Sequence, residues 1–310
     1  MLAVLLAGLA VVALGGCGDD GGGAASQTAG EIPESGGSLR LAVPGSVTTL
    51  DPLLAEGRAE RLASRQVHEP LNSRQAGPFG QTRARPGLTR TFESSADDTI
   101  WTAKLRPGVR FQDGEPLDAD AVLANVDRWL STSTGRALLP ELIVADNPQP
   151  GLVRFQLDRP TPDFPTELSA ARLGLVAPQA LLGAGSGPLS IGSVRSGTGA
   201  FELREHETGR TLLARNAGWW GTPLGLGPGV DQIELADIEG GEERVGQLAS
   251  GSVDVAAALT PRLAREVAGN PLLTVVRGGG SALGMERSVR GIETTEAEQP
   301  LADVWLTDIR

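Results

Sequence analysis

Apolar and polar positions along the chain follow the two periods that distinguish β-strands from α-helices. Residues 38–43 and 151–157 alternate between apolar and polar side chains, as half-buried strands do. After Asp118, apolar residues recur at intervals of three and four as far as Leu130. This spacing predicts a helix with one buried face, on which Trp129 packs in the core, and with Asp118 near its N-terminus as a cap.

The order of the remaining segments predicts an α/β fold. Residues 200–205 and 211–215 flank a short polar turn, which is typical of a hairpin, and residues 77–87 are interpreted as a surface loop. Strands and helices otherwise alternate, which favours mixed sheets with inserted hairpins. The other predicted strands lie at 88–92, 99–105, 109–111, 173–176, 231–236, 253–257 and 272–276, and the other helices at 59–71, 163–171, 178–182, 242–250 and 261–268.

The N-terminus begins with an apolar run of residues 1–16 that ends in Gly15-Gly16-Cys17. The run is too short for a comfortable membrane span, and it is typical of a secretion signal. Small residues directly before Cys17 resemble the bacterial lipobox, in which the cysteine becomes the acylated first residue. An ordinary signal with an incidental cysteine and a buried N-terminal helix are the alternatives. No Lys or Arg precedes the run, although secretion signals normally carry one.

The segment that follows the cysteine contains almost no apolar residues. Residues 18–37 are rich in Gly, Ser and acidic side chains, so burial cannot offset the entropy lost on ordering them. We therefore interpret residues 1–16 as a signal peptide and residues 17–37 as a lipidated cysteine followed by a flexible tether.

Composition narrows the class of function. The chain has 27 Lys and Arg against 38 Asp and Glu, a net charge of -11, and a nucleic-acid-binding protein needs the opposite balance. One cysteine and two histidines argue against a disulfide within the chain, a thiolate metal cluster or a His-rich zinc site. Nucleophile, zincin and phosphate-loop motifs are absent from the sequence, so we expect neither an enzyme nor a cofactor.

A series of short motifs follows in order along the chain. The longest is residues 101–122, which read WTAKLRPGVRF and, after one residue, DGEPLDADAV. The others are Leu50-Asp51-Pro52, Glu69-Pro70-Leu71, residues 197–201, Arg215-Asn216, Trp219-Trp220-Gly221, Ser250-Gly251 and Asp254. In this order they resemble the family 5 extracellular solute-binding proteins, which serve ABC importers for peptides, nickel and related solutes.

The resemblance implies a fold like that of type II periplasmic binding proteins. Two lobes are joined by hinge strands, the solute lies in the cleft between them, and closure on the solute signals to a membrane permease. Residues 38–280 would form the first lobe, with an inserted subdomain at about 80–170, and residues 281–310 the start of the second. Family members continue well past residue 310, so the second lobe is expected to be largely missing from this C-terminally shortened chain.

The resemblance also implies a cleft-lining segment shortly after the Asp-Pro turn. In this chain the segment consists of Ala55, Glu56, Gly57 and Arg58. Its charges are expected to meet the termini of a ligand, and its backbone is expected to pair with an extended peptide. An ordinary exposed loop is the alternative interpretation of the same four residues.

These observations predict a lipid-anchored solute-binding protein on the extracytoplasmic face of the bacterial cell membrane. It would capture oligopeptides or another small solute and deliver them to ABC permease subunits. The alternative is a non-transport interaction lipoprotein that keeps the first lobe as a scaffold. An exported hydrolase is disfavoured, because the sequence shows no defensible pair of nucleophile and base.

Overall fold

The computed structural model describes residues 36–76, 82–184, 187–191, 195–278, 281–286, 289–293 and 305–309. The predicted signal peptide, Cys17 and all but the last two residues of the predicted tether lie outside the described residues. Within the described ranges, no helix combines the length and apolar character that a membrane-spanning helix requires.

Strands and helices follow one another along the whole described chain. The strands are β1 (Ser38–Val43), β2 (Asn72–Ala76), β3 (Thr82–Pro86), β4 (Thr89–Ser94), β5 (Ile100–Leu105), β6 (Leu142–Asp146), β7 (Leu152–Leu157), β8 (Phe201–Glu207), β9 (Arg210–Arg215), β10 (Gln232–Asp237), β11 (Val255–Leu259), β12 (Leu273–Gly278), β13 (Ser281–Glu286), β14 (Val289–Glu293) and β15 (Trp305–Ile309). The helices are α1 (Arg58–Val67), α2 (Ala119–Ser131), α3 (Ser133–Leu138), α4 (Phe164–Glu167), α5 (Pro178–Ala184), α6 (Gly241–Ala249) and α7 (Pro261–Ala268), with 3₁₀ turns at Ala171–Leu173 and Thr222–Leu224.

A seven-stranded mixed sheet organises most of the chain. Its strand order is β12-β13-β11-β1-β10-β9-β8, and β1 is parallel to both β10 and β11. The register pairs Val43 with Asp237, so the carboxyl ends of β1 and β10 are level. We call the side of the sheet where β1, β10 and β11 end, at Val43, Asp237 and Leu259, the carboxyl edge.

Helices cover both faces of this sheet because the strand residues alternate. Leu39 and Leu41 of β1 lie in a core shared with Leu62 of α1 on one face. Ala42 points to the other face and lies in a core with Val245 of α6 and Leu263 of α7. Burial of apolar surface on both faces stabilises the layered arrangement that the alternation of strands and helices predicted.

A second, four-stranded antiparallel sheet has its own core. Its order is β4-β5-β7-β6, and its aromatic cluster joins Phe155 of β7 edge-to-face to Phe164 of α4, with ring centroids 5.4 Å apart. Helix α2 packs Trp129 into the same core with 1% of its surface exposed, as predicted. Asp118 caps α2 by accepting a 2.9 Å hydrogen bond from the backbone N–H of Ala121.

The structure contains strands that the sequence pattern did not predict, because their apolar and polar residues do not alternate. Residues 77–87 were interpreted as a loop, but Thr82–Pro86 pairs with Asn72–Ala76 as the hairpin β2–β3, and residues 77–81 lie outside the described residues. This hairpin is mostly polar, so no apolar alternation marks it. Strand β6 was missed because Ile143 and Val144 expose 52% and 47% of their surface, which broke the expected alternation.

Residues 173–176 form no strand, although their apolar run predicted one. Leu173 ends the 3₁₀ turn, and all four residues are buried, but a side chain rather than a neighbouring strand forms hydrogen bonds with their backbone at Val176. The amide of Asn125 on α2 donates to the carbonyl of Val176 and accepts from its N–H, at 2.8 and 2.9 Å. The predicted strand 109–111 is likewise reduced to a single bridge between Arg110 and Pro116.

The last described strands divide between the main sheet and a separate hairpin. Strand β13 is hydrogen-bonded to both β12 and β11, so the predicted lobe boundary at residue 280 falls between two neighbouring strands of one sheet. Strands β14 and β15 pair only with each other among the described strands, with Val289 opposite Ile309.

Candidate ligand-binding site

The carboxyl edge is where an α/β sheet of this kind offers a ligand site, because the loops that leave the parallel strands meet there. The loop after β1 runs along this edge and ends at the start of α1. The four predicted cleft-lining residues occupy that point. Ala55 is buried, Glu56 and Gly57 are exposed, and Arg58 is half-buried as the first residue of α1.

Hydrogen bonds hold the backbone of this segment in place. One carboxylate oxygen of Glu60 accepts from the N–H groups of Glu56 and Gly57 at 3.1 and 2.9 Å, and the other accepts from the hydroxyl of Thr48. Partial burial raises the pKa of Glu60, but these hydrogen bonds together hold the pKa below its ordinary value. Both N–H groups are therefore engaged within the protein.

Two arginines that the sequence analysis did not single out lie beside this segment. Arg61, one turn into α1, donates to the carbonyl of Glu56. Arg172, in the 3₁₀ turn, donates through Nη2 and Nε to the carbonyl of Leu53 at 2.7 and 3.2 Å. Its Nη2 also lies 3.7 Å from Oε1 of Glu56. The helical spacing from Arg58 was a signal for Arg61, but no local pattern points to Arg172.

A buried ion pair fixes the loop that carries the segment. Asp51 is completely buried and accepts hydrogen bonds from both terminal nitrogens of Arg128 on α2. It also accepts from the backbone N–H groups of Leu53 and Leu189, each at 3.1 Å. This loop is therefore tied to the second sheet as well as to the main one.

The neighbouring loops of the carboxyl edge are held by Arg244. Its buried guanidinium donates to the carbonyls of Ile238 and Glu239 after β10 and of Ala257 and Ala258 in β11, at 2.6 to 3.3 Å. Ala258 has a φ of 53°, a left-handed conformation that costs a residue other than glycine energy. Burial lowers the pKa of Arg244, and four neutral acceptors satisfy its N–H groups.

A separate cavity of about 360 Å³ is lined by residues other than those of the segment 55–58. It is close to Trp219 and Trp220, which follow β9, and the end of β9 pairs with the start of β10. The guanidinium of Arg106 lies 4.5 Å from the ring centroid of Trp220. The lining residues are Arg65, Glu69, Pro70, Asn72, Ser73, Pro86, Gly87, Trp219, Trp220, Gly225, Leu226, Gly227 and Pro228.

Glu69 lies in the lining of this cavity. Its carboxylate accepts from the indole N–H groups of Trp220 and Trp219, at 2.9 and 3.4 Å, and from the hydroxyl of Thr198 at 2.9 Å. Burial nevertheless dominates and raises the pKa of Glu69 to about 7, against the lowering effect of these hydrogen bonds and of Arg65. Through these hydrogen bonds, Glu69 links the Glu-Pro-Leu motif to the Trp-Trp-Gly motif.

A serine–histidine pair is present but closed to solvent. His68 Nε2 lies 3.0 Å from Ser196 Oγ, and both residues are buried. His68 Nδ1 has no hydrogen-bond partner within the described part of the chain, so no carboxylate orients the ring. Burial lowers the pKa of His68 to about 4. This pair lacks both the access and the third group that a nucleophile and its base need.

Removing the ionisable group of Glu69 is expected to change how stability depends on pH. The folded-state pKa of about 7 exceeds the ordinary 4.5, so Glu69 contributes stability below pH 4.5 that is lost as the pH rises through 7. In Glu69→Gln, the free energy of unfolding relative to wild type should therefore rise by roughly 3 kcal/mol between pH 4.5 and 7. His68 acts in the opposite direction, because its lowered pKa provides stability above pH 6.5 that is lost towards pH 4.

Urea unfolding of both proteins across this pH range measures the difference. Glu93→Gln, at an exposed position of β4, is the matched control. A difference between Glu69→Gln and wild type that stays constant with pH would show that burial does not raise the pKa of Glu69.

Within the described ranges, no group of three or more His, Cys, Asp or Glu side chains is placed to hold a metal ion.

Comparison with known proteins identifies the class of protein to which this chain belongs. Residues 83–304 match the bacterial extracellular solute-binding proteins, family 5 (middle region), and the chain belongs to this family. This confirms the predicted family. Its members are extracytoplasmic solute-binding proteins of ABC transporters, and the relatives found are solute-binding proteins rather than enzymes.

Individual relatives agree with this assignment. The glutathione-binding protein GsiB of Escherichia coli (strain K12) is 27% identical over 220 residues, which are 70% of this chain and 41% of GsiB. The binding protein AgaA of A. tumefacien R10, solved with agropinic acid, superposes with a TM-score of 0.69 at 22% identity, covering 78% of this chain and 48% of AgaA. DppA of Helicobacter pylori, solved with the peptide STSA, has a TM-score of 0.68 at 18% identity, covering 79% and 51%.

These superpositions confirm the predicted α/β fold of the type II periplasmic binding proteins. The chain spans less than half the length of the curated relative GsiB.

Proposed function

We propose that this chain is the solute-binding component of an ABC importer, that it captures oligopeptides, and that it delivers them to a membrane permease. The observation that carries the proposal is the carboxyl edge of the main sheet, where the exposed Glu56 and the half-buried Arg58 lie at the end of a loop that part-buried hydrogen bonds hold in place. A rigid loop with charged side chains at this edge suits a ligand with charged termini. The peptide in the DppA complex is of this chemical class.

We further propose that Ala55, Glu56, Gly57 and Arg58 line the solute cleft. Ala55 is buried under the loop and sets its position, because its N–H donates to the carbonyl of Asp51 at 2.9 Å. Glu56 suits the amino terminus or a basic side chain of a peptide, and Arg58 suits a carboxylate. Contacts through side chains replace the backbone pairing expected from the sequence, since Glu60 occupies the N–H groups of Glu56 and Gly57.

The proposed location is the extracytoplasmic face of the cell membrane, through an acylated Cys17. Support comes from the apolar run of residues 1–16 and from the small residues directly before the only cysteine. The proposed division is a signal peptide at 1–16, an anchor and tether at 17–37, a first lobe at 38–280 with a subdomain at about 80–170, and the start of a second lobe from residue 281. Cells that express Cys17→Ser should release the protein from the membrane fraction, whereas wild-type protein should incorporate labelled palmitate there.

Calorimetric titration with a pool of tripeptides tests the proposed activity. Saturable binding is expected, and Glu56→Gln is expected to weaken it by about tenfold, the effect of losing one charged hydrogen bond. Glu93→Gln, on an exposed strand of the second sheet, is the matched control and should bind as wild type does.

A folded protein that binds no peptide would contradict peptide capture. That result would favour the alternative, an interaction lipoprotein that uses the same fold as a scaffold.

A further inference from the structure

We propose that the chain has a second interaction surface, which binds the acidic phospholipid headgroups of a membrane. The surface consists of Arg83, Arg85, Arg90, Lys104 and Arg106, and we call it the basic corner. The proposal goes beyond solute capture, and it rests on the proposed function only for the lipid anchor that keeps the protein at a membrane.

The stretches of chain that supply the basic corner contain no carboxylate. Residues 70–92 and 99–112 together have seven arginines and lysines and no Asp or Glu, whereas the whole chain has a net charge of -11. A protein that is acidic overall is not attracted as a whole to an acidic membrane. Binding to such a membrane therefore needs a local group of cations, which also determines how the molecule is oriented.

Strand pairing brings four of these cations onto one surface. Arg83 and Arg85 are exposed and two residues apart on β3, so their side chains point to the same side of the hairpin β2–β3. Arg85 lines a small cavity with Thr91 of β4, and Thr91 is paired with Lys104 of β5. Arg90 precedes Thr91 at a register shift, and both Arg90 and Lys104 are exposed. The surface therefore extends from β3 across β4 to β5.

Arg106, the fifth cation, is fixed at the end of the same hairpin. Its Nε donates to the carbonyl of Gly87 at 3.0 Å, and its guanidinium lies 4.5 Å from the ring centroid of Trp220. A carbonyl and the face of an indole hold a guanidinium without neutralising its charge.

Within the described part of the chain, none of the five cations forms an ion pair with a carboxylate. Exposed arginines elsewhere do so, as Arg154 does with Asp146 on the second sheet. Among nearby carboxylates, Glu93 is exposed further along β4, and Glu69 is buried and accepts from the indole N–H of Trp220. Neither forms an ion pair with the basic corner, so its charge is left for solvent or a partner.

The chain enters the fold beside the basic corner. The N–H of Gly36 donates to the carbonyl of Gly229 at 2.7 Å. The preceding residues Gly227 and Pro228 line the cavity of about 360 Å³ together with Pro86 of the hairpin β2–β3. Whatever holds the N-terminus at a membrane therefore holds this hairpin near the same membrane.

The proposed anchor is close enough to bring the basic corner to the lipid. Eighteen residues separate Cys17 from Gly36. As a flexible chain, a tether of that length spans roughly 25 Å. The candidate cleft lies at the other end of β1, beyond Val43, so contact of the basic corner with lipid leaves the segment 55–58 available to a solute.

Co-sedimentation with vesicles tests the proposal. The protein is the full chain carrying Cys17→Ser, so that no acyl chain contributes, and the vesicles are phosphatidylcholine alone or an equal mixture with phosphatidylglycerol. Binding to the acidic vesicles is expected to be at least about tenfold stronger and to fall towards that of the neutral vesicles as salt is raised. The apolar run of residues 1–16 contributes to both vesicle types, so the ratio of the two affinities reports the charge.

Matched variants then locate the surface. Arg83→Gln/Arg85→Gln is expected to weaken binding to the acidic vesicles by about 25-fold, since each cation near such a surface contributes about fivefold. Arg204→Gln/Arg265→Gln removes the same charge from exposed positions of β8 and α7 and should bind as the parent protein does. Equal losses in the two double variants would overturn the basic corner, because overall charge would then explain the binding.

A second double variant, Arg90→Gln/Lys104→Gln, keeps the test decisive if the hairpin variant fails to fold. It removes the two exposed cations of β4 and β5, and the same loss of about 25-fold is expected. Unchanged binding of this variant to the acidic vesicles would show that the surface does not extend to β4 and β5, and would overturn the proposal as stated.

Titration of wild-type protein with tripeptides separates this proposal from the proposed function. Protein that binds acidic vesicles but no tripeptide would overturn the proposed function and leave the basic corner standing. Protein that binds tripeptides but has equal affinity for both vesicle types would overturn the basic corner as a lipid-binding surface and would favour an acidic protein as its partner.

Discussion

Asp51→Ala is expected to lower the free energy of unfolding by roughly 3 to 5 kcal/mol, the usual effect of removing one partner of a buried ion pair. Asp51 is completely buried, and Arg128, its ion-pair partner, has a side chain that is only 14% exposed. The substitution leaves the guanidinium of Arg128 buried without its counter-ion. It also removes the acceptor for the N–H groups of Leu53 and Leu189.

Urea unfolding at neutral pH measures this effect. Asp146→Ala is the matched control, because the side chains of Asp146 and Arg154 are each about half exposed. Exposed ion pairs of this kind contribute less than about 1 kcal/mol to the free energy of unfolding. Equal, small losses in the two variants would mean that Asp51 does not fix the loop after β1.

Gly197→Ala is expected to destabilise the protein by roughly 3 kcal/mol or more, at the upper end of the effects of overpacking. A Cβ at this position would lie 1.8 Å from the carbonyl oxygen of Val67, at the end of α1, and 3.1 Å from His68. Since the nearest atom belongs to the backbone, no side-chain rotation relieves the clash. The backbone would have to shift at Gly197, whose carbonyl accepts a hydrogen bond from the N–H of Gln112 at 2.8 Å.

Gly183→Ala in α5 is the control for this substitution. A Cβ at Gly183 meets no atom within 4 Å, and alanine is the better helix former by about 0.5 to 1 kcal/mol. Thermal or urea unfolding should therefore show a large loss for Gly197→Ala and a small gain for Gly183→Ala. A Gly197→Ala protein as stable as wild type would contradict the close approach of these two segments.

The sequence was sufficient where a local pattern coincides with burial. Strand β1 alternates because both of its faces meet different cores, and α2 repeats every three to four residues because one face packs on the second sheet. The pattern gave a wrong prediction at residues 173–176, which are buried but do not form a strand. It also failed where a strand lies at an edge with apolar side chains exposed, as in β6.

The candidate site was predictable only in part. The segment at residues 55–58 follows the Asp-Pro turn, so its place in the chain and the family resemblance suggested it. Arg172 lies 119 residues from Leu53, the residue whose carbonyl it contacts, and no spacing in the sequence joins them. The tertiary fold alone brings Arg172 beside the loop that carries residues 55–58.

Hydrogen exchange of the backbone amides, with and without saturating trialanine, tests the central claim that the carboxyl edge of the main sheet holds the solute. Slower exchange is expected in the loop between β1 and α1 and in the 3₁₀ turn at Ala171–Leu173. Unchanged exchange in both segments, with protection confined to the cavity beside Trp219 and Trp220, would contradict that claim.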